Sequence, residues 1–187
     1  MFNIVDWGSY LVQMKRKSSA VKGFVEGLHE FIVSNPQFRK NTNGKSETAI
    51  QAELRPLIVS YLEKSFSEAG FKDCVAQANK SFYWEGQEGK FGRERATTFA
   101  SRNYPDFIIT KPYKLAVEYK QGKSGSLVKQ AIGQSIMHTM SGDFDFVYVL
   151  FHDQNKDKRI ENSATNSTEN KIARKIWDDF NVMLNFV

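Results

Sequence analysis

The sequence is poor in cysteine and proline, with one Cys and four Pro in 187 residues. The single thiol, Cys74, excludes an intramolecular disulfide framework and fits a reducing compartment. Between apolar neighbours it reads as a small core residue. Long apolar runs are missing as well: none approaches the roughly 20 residues that a membrane-spanning helix needs. The opening "MFNIVDWGSYLVQMKRK" sets an acid and a tryptophan ahead of its basic cluster, the wrong order for a signal peptide. These absences lead to the expectation of a cytoplasmic protein with no membrane partner. There is no Walker loop, no glycine-rich dinucleotide signature and no recognisable context for a nucleophilic cysteine. The three histidines have no partner at metal-ligand spacing. His138, on a helix near Met137, and His152, at a strand end, therefore read as structural, with His152 an outside candidate for a nearby site.

What is present begins with the core. Hydrophobic residues make up 41% of the chain and include 15 Phe, 7 Tyr and 3 Trp, enough to build a real interior. Formal net charge is +5, a mild excess that permits a polyanionic partner without requiring one. The length suggests one domain over residues 1–187, with a helical extension at 1–45, a core at 46–151, and a loop and helix at 152–187.

Apolar spacing places helices at 6–16 and 18–33, the second on Val21, Phe24, Val25, Leu28, Phe31 and Ile32. Residues 34–46 read as a polar loop. Ser46 is a plausible N-cap for a helix whose face is Ile50, Leu54, Leu57, Ile58, Tyr61 and Leu62 and which stops at Gly70. Pro56 inside it predicts a kink or a restart. Residues 73–84 suggest a strand or two, and 85–103 a loop or extended hairpin. Strands follow at 106–110 and 115–120, a helix at about 126–140, and a buried strand at 144–151. After a polar loop at 153–167, Ile172, Ile176, Phe180 and Leu184 at four-residue steps predict a final amphipathic helix. The order predicts an α/β (α+β) protein, a mixed central sheet flanked by helices, with extra helices at both ends.

The segment "NYPDFIITKPYKLAVEYKQGK" at 103–123 stands apart from an ordinary hairpin. With the turn centred near Pro112, Asp106 falls opposite Glu118 and Ile108 opposite Ala116. Side chains alternate faces, so Lys120 shares the face of Glu118. Two carboxylates and an ammonium then converge at the open end of the hairpin. Adjacent carboxylates repel and raise one pKa, unless a hard cation such as Mg²⁺, or Mn²⁺ in its place, bridges them. Such an ion acidifies water and offsets charge on a phosphoryl oxygen, while a lysine can orient or deprotonate the water or stabilise the phosphorus centre. The plainer alternative is a surface hairpin with an acid–lysine pair of little energetic weight. "QGKSGSL", with Lys123, forms a basic loop opening the next helix, a suitable seat for backbone phosphates. On that helix Gln130 and Gln134 share a face at i, i+4, where they hold a water, a phosphate or the lysine, or simply face solvent.

Pro105-Asp106, Glu118-Tyr119-Lys120 and a following Q-x-x-x-Q helix resemble the PD-(D/E)xK nuclease superfamily, the restriction-endonuclease-like fold. The resemblance covers residues 46–151, where the helix–three strands–helix–strand order is similar. It implies that Asp106 and Glu118 are metal ligands and Lys120 the catalytic lysine, with Gln130 beside them. The superfamily often adds an acid from the first core helix; here Glu47, at the helix start, is preferred to Glu53. The implied activity is Mg²⁺-dependent hydrolysis of DNA, leaving 5′-phosphate and 3′-hydroxyl ends. Cutting both strands with one small site implies a homodimer. A different class of function is a non-cleaving nucleic-acid-binding or adaptor protein of the same fold, and a third is an α/β interaction domain.

Positive charge gathers around the same region. Between residues 107 and 134 there are five lysines and one acid, Glu118. The preceding loop adds Lys90, Arg93, Arg95 and Arg102 against Glu88 and Glu94, and Arg93, Arg95 and Arg102 with Lys123 and Gln134 are the expected DNA contacts. Arg93 or Arg95 would read guanine edges, and Phe91, Phe99 and Tyr104 are alternatives between stacking and packing.

Overall fold

The computed structural model describes residues 7–41, 44–85, 87, 96–98 and 101–187. The first helix, α1 (Trp7–Ser34), is a single element rather than two. It buries Val21, Val25, Leu28 and Ile32 completely, at the i, i+4, i+7, i+11 spacing of one helical stripe. α2 (Pro36–Asn41) follows at once where a loop was expected. Proline is well placed at its first position, and the Asn35 side chain accepts from the amides of Gln37 and Phe38.

α3 (Glu47–Glu68) starts as predicted: Ser46 Oγ accepts from Ala49 N at 3.2 Å. Pro56 neither breaks nor restarts it. Pro56 and Ala52, the residue whose carbonyl loses its amide partner, are both exposed, so water can serve that carbonyl. α1 crosses α3 at Gly27, where an added Cβ would stand 2.6 Å from the Tyr61 hydroxyl. The missing side chain lets that hydroxyl donate to Phe24 O at 2.7 Å.

Residues expected as strands at 73–81 are instead α4 (Cys74–Ser81). Ala78 and Ser81 are buried and Cys74 partly so, an i, i+4, i+7 stripe that the weak alternation obscured. β1 (Phe82–Trp84) then enters the sheet. β2 (Ala96–Thr98) and β3 (Ser101–Asn103) form a separate antiparallel hairpin, as one of the two sequence readings had it. β4 (Phe107–Ile109), β5 (Leu115–Gly122), α5 (Gly125–Met140) and β6 (Phe146–Asp153) follow the predicted order. α6 (Arg159–Ala164) interrupts the expected polar loop, and α7 (Ser167–Phe180) is capped by the Asn166 side chain.

The final helix does not reach Leu184. It stops at Phe180 because Asn181 adopts the left-handed conformation (φ 56°), which asparagine tolerates well. β7 (Val182–Phe186) then pairs parallel to β6. The four-residue spacing was partly accidental: Ile176 is buried, Ile172 is 52% exposed, and Leu184 belongs to a strand.

The result is a mixed five-stranded sheet in the order β1-β4-β5-β6-β7, flanked by helices. The pairs β1–β4 and β4–β5 are antiparallel, while β5–β6 and β6–β7 are parallel. Strand residues alternate between two cores. Phe107, Ile109, Leu115, Val117, Tyr119, Tyr148 and Leu150 pack toward α1 and α3. Ile108, Ala116, Val147 and Val149 pack toward α5 and α7. The N-terminal segment is thus no appendage, since α1 supplies one wall of the larger core. Among the described residues, no helix is long and apolar enough to cross a membrane.

Candidate active site

The hairpin has the register that a turn at Pro112 requires: Phe107 pairs with Val117, Ile108 with Ala116 and Ile109 with Leu115. Asp106 lies just beyond β4 and remains tied to the sheet on both sides. Its carbonyl accepts from Glu85 N at 3.1 Å, and its Oδ2 accepts from Tyr119 N at 2.7 Å. Even-numbered residues of β4 and β5 face α5, which sets Asp106, Glu118 and Lys120 on one side of the sheet. Asp106 is 7% exposed and Glu118 is 3% exposed.

Burying two carboxylates together has an electrostatic consequence. The Asp106 pKa is pushed up to about 8, first by burial and then by the neighbouring Glu118 charge. The Tyr119 amide and the Lys120 charge work in the opposite sense without overcoming it. At neutral pH the pair therefore holds a proton.

Lys120 reaches back to the start of α3, where Nζ donates to Glu47 Oε1 at 3.1 Å. Burial alone lowers its pKa, but Asp106, Glu47 and Glu118 together outweigh burial and raise it. Lys120 is therefore a fixed cation, suited to electrostatic stabilisation and unsuited to taking a proton from water. Glu53 is engaged elsewhere, with Lys45. Of the two acids weighed on this helix, Glu47 is the one brought to the site.

The sequence reading missed His138. Its Nε2 and Glu118 Oε1 are 2.7 Å apart, both side chains are buried, and the ring stands edge-on to Phe144. The imidazole N–H is the donor and the carboxylate oxygen the acceptor. No motif announces this contact. The available signal was the helix stripe Ala131, Ser135, His138, all buried, since a polar residue on a buried stripe must find a partner.

Other expected participants are less engaged. Gln130 is exposed on α5, and Gln134 is half-buried, its Oε1 enclosed without a hydrogen-bond partner among the described residues. Neither makes a hydrogen bond to Asp106, Glu118 or Lys120 among the described residues. Lys123 is exposed directly after β5, and its carbonyl accepts from Asn155 and Arg159. Arg93, Arg95, Phe91 and Phe99 lie outside the described residues, as does the side chain of Arg102, whose backbone belongs to β3. Tyr104 packs at the edge of the core under α5. His152 sits on the opposite face, its Nδ1 bonded to the Tyr119 hydroxyl at 3.1 Å.

The donors at the hairpin suit a hard cation. Asp106 and Glu118 offer carboxylate oxygens, and a cation would replace the proton that Asp106 now holds. Among the described residues, no three His, Cys, Asp or Glu side chains are gathered as a complete metal cage. Glu47 is turned to Lys120, so only the two hairpin carboxylates would be placed to hold such an ion directly. One or two carboxylates with waters completing the shell is the usual protein share for Mg²⁺. Comparison with protein-family models, curated proteins and solved structures finds no match for this chain.

Proposed function

We propose that this chain is a Mg²⁺-dependent DNA endonuclease of the restriction-endonuclease-like fold, acting as a homodimer. The observation that carries the reading is the Asp106–Glu118 pair at the open end of a hairpin, with the Lys120 ammonium beside it. The order α3, β1, β4, β5, α5, β6 supports it, being the helix–three strands–helix–strand order of the PD-(D/E)xK core with α4 and the separate β2–β3 hairpin inserted. Mn²⁺ would substitute for Mg²⁺.

In this reading Asp106 gives up its proton and, with Glu118, holds the cation. When bound, the ion acidifies a water and offsets charge on a nonbridging phosphate oxygen. Lys120, already protonated, stabilises the negative charge that grows on the phosphoryl group as water attacks. The P–O3′ bond breaks, and the strand end carrying the 5′-phosphate separates from the 3′-hydroxyl. Glu47 sets the position of the Lys120 ammonium, and His138 that of the Glu118 carboxylate. Lys123 and the arginines of the 85–103 segment contact the DNA backbone.

The test is incubation of supercoiled plasmid with the purified protein in Mg²⁺, Mn²⁺ or EDTA, followed by religation of the products. Nicked or linear DNA in either metal, absent in EDTA and sealable by ligase, is expected. Salt-sensitive DNA binding without any cutting would instead favour the non-cleaving binder of the same fold.

A further inference from the structure

On the other face of the sheet lies a cavity that the carboxylate site does not use. It encloses about 400 Å³ and is lined by His29, Phe38, His152, Lys158, Glu161 and Phe186 among others. That volume lies within the range of small-ligand sites, roughly 300–1,000 Å³.

Its two histidines are held in the same way. His29 Nδ1 meets the Tyr148 hydroxyl at 2.9 Å, and His152 Nδ1 meets the Tyr119 hydroxyl at 3.1 Å. Both tyrosines are completely buried, which fixes the rings. With Nδ1 taken up, Nε2 on each ring is left without a partner among the described residues. The Tyr119 hydroxyl also donates to Gln121 Oε1 at 3.3 Å. Burial lowers the pKa of both rings, that of His152 to about 4 with help from Lys158, which keeps the pair neutral.

Two neutral imidazoles, each able to donate or accept at Nε2 according to its tautomer, match the mixed donors and acceptors on the edge of a heteroaromatic base. Phe38 and Phe186 supply apolar wall. Lys158 Nζ, which donates to Asp153 O at 2.8 Å, and Glu161 Oε2 lie 3.8 Å apart and partly exposed, so the remaining protons of the ammonium suit a phosphate and the carboxylate a sugar hydroxyl. A metal fits less well, because His29, His152 and Glu161 are not gathered around a common point. The geometry points to a mononucleotide site, with the base edge between His29 and His152 and the sugar-phosphate at Glu161 and Lys158.

The chain has only three histidines, so side-chain ¹⁵N correlation spectra read the site directly. We would titrate the wild type with adenosine, cytidine, guanosine and uridine 5′-monophosphates and with the free nucleosides. The His29 and His152 signals should move together and saturate with at least one base, while His138, across the sheet, stays put. Lys158→Asn, chosen because residue 158 has φ 51°, should weaken the monophosphate roughly tenfold and leave the nucleoside unchanged. Static His29 and His152 signals with every base would overturn the assignment. So would movement of His138 alone, or equal affinity of wild type and Lys158→Asn for the monophosphate. The readout is independent of DNA cleavage, so it stands or falls apart from the nuclease reading.

Discussion

Asp106 is the residue on which the chemistry and the stability meet. Its pKa is about 8 in the folded protein against 3.8 as a free side chain, so the folded state binds a proton that the unfolded state releases. The contribution to stability is complete below the lower value and is lost as pH rises toward the upper one. His152 acts in the opposite sense: its folded pKa near 4 lies below the ordinary 6.5, so its contribution is lost as pH falls through that interval. Above about pH 6.5 the His152 contribution is complete and the Asp106 trend remains. Thermal denaturation should therefore show wild type losing stability from about pH 6.5 to 9, with Asp106→Asn losing less. Equal slopes for the two proteins would refute the raised Asp106 pKa. At His138, loss of the imidazole should loosen Glu118. His138→Leu is expected to weaken Mn²⁺ binding by about 10- to 100-fold, with His138→Gln closer to wild type, since Gln can place a donor near the Nε2 position. Titration calorimetry distinguishes the two. Sequence made Asp106, Glu118 and Lys120 legible because their spacing about Pro112 fixes strand register. It did not expose His138, whose partner lies across a crossover that no local pattern records.

At the scale of elements, caps and turns carried most of the readable information. Ser46 marked the start of α3 and with it the position of Glu47. Removing the cap with Ser46→Ala should destabilise the protein by about 0.5–2 kcal/mol and loosen the Glu47–Lys120 pair. Chemical denaturation would show the first effect, and a lowered cleavage rate would show the second. Gly122, ending β5, lies against the tip of the Leu127 side chain, into which an added Cβ would run. Gly122→Ala is expected to turn that side chain aside, with only a small fall in melting temperature. What sequence misjudged were elements whose patterns contradict their packing. α4 has only eight residues, too few for a firm period. β7 continued a four-residue apolar step by coincidence, and the left-handed backbone at Asn181 decided its fate. α2 was concealed in a stretch whose Asn, Pro and Gly resemble loop composition.

For the whole molecule, the fold sets two cores around one sheet and places different chemistry on each side. Charge and acid chemistry gather under α5, and neutral imidazoles gather under α1. The mixed sheet with flanking helices was legible from the order of the segments. The role of α1 was not, because only tertiary contact shows that Val21, Val25, Leu28 and Ile32 close the larger core. Burial of each such side chain is worth about 1.5–3 kcal/mol, so deletion of residues 1–34 should leave the chain unable to fold. A sharp, cooperative melt in that truncated chain would contradict it.

At every scale the central claim is that Asp106 and Glu118 form a cation site whose proton a metal displaces. Mn²⁺ titration calorimetry at pH 7 in two buffers of different ionisation enthalpy tests it most directly. The expected result is one bound ion per chain with release of close to one proton, and loss of both in Asp106→Asn. Absence of binding, or binding that releases no proton and persists in Asp106→Asn, would contradict the assignment.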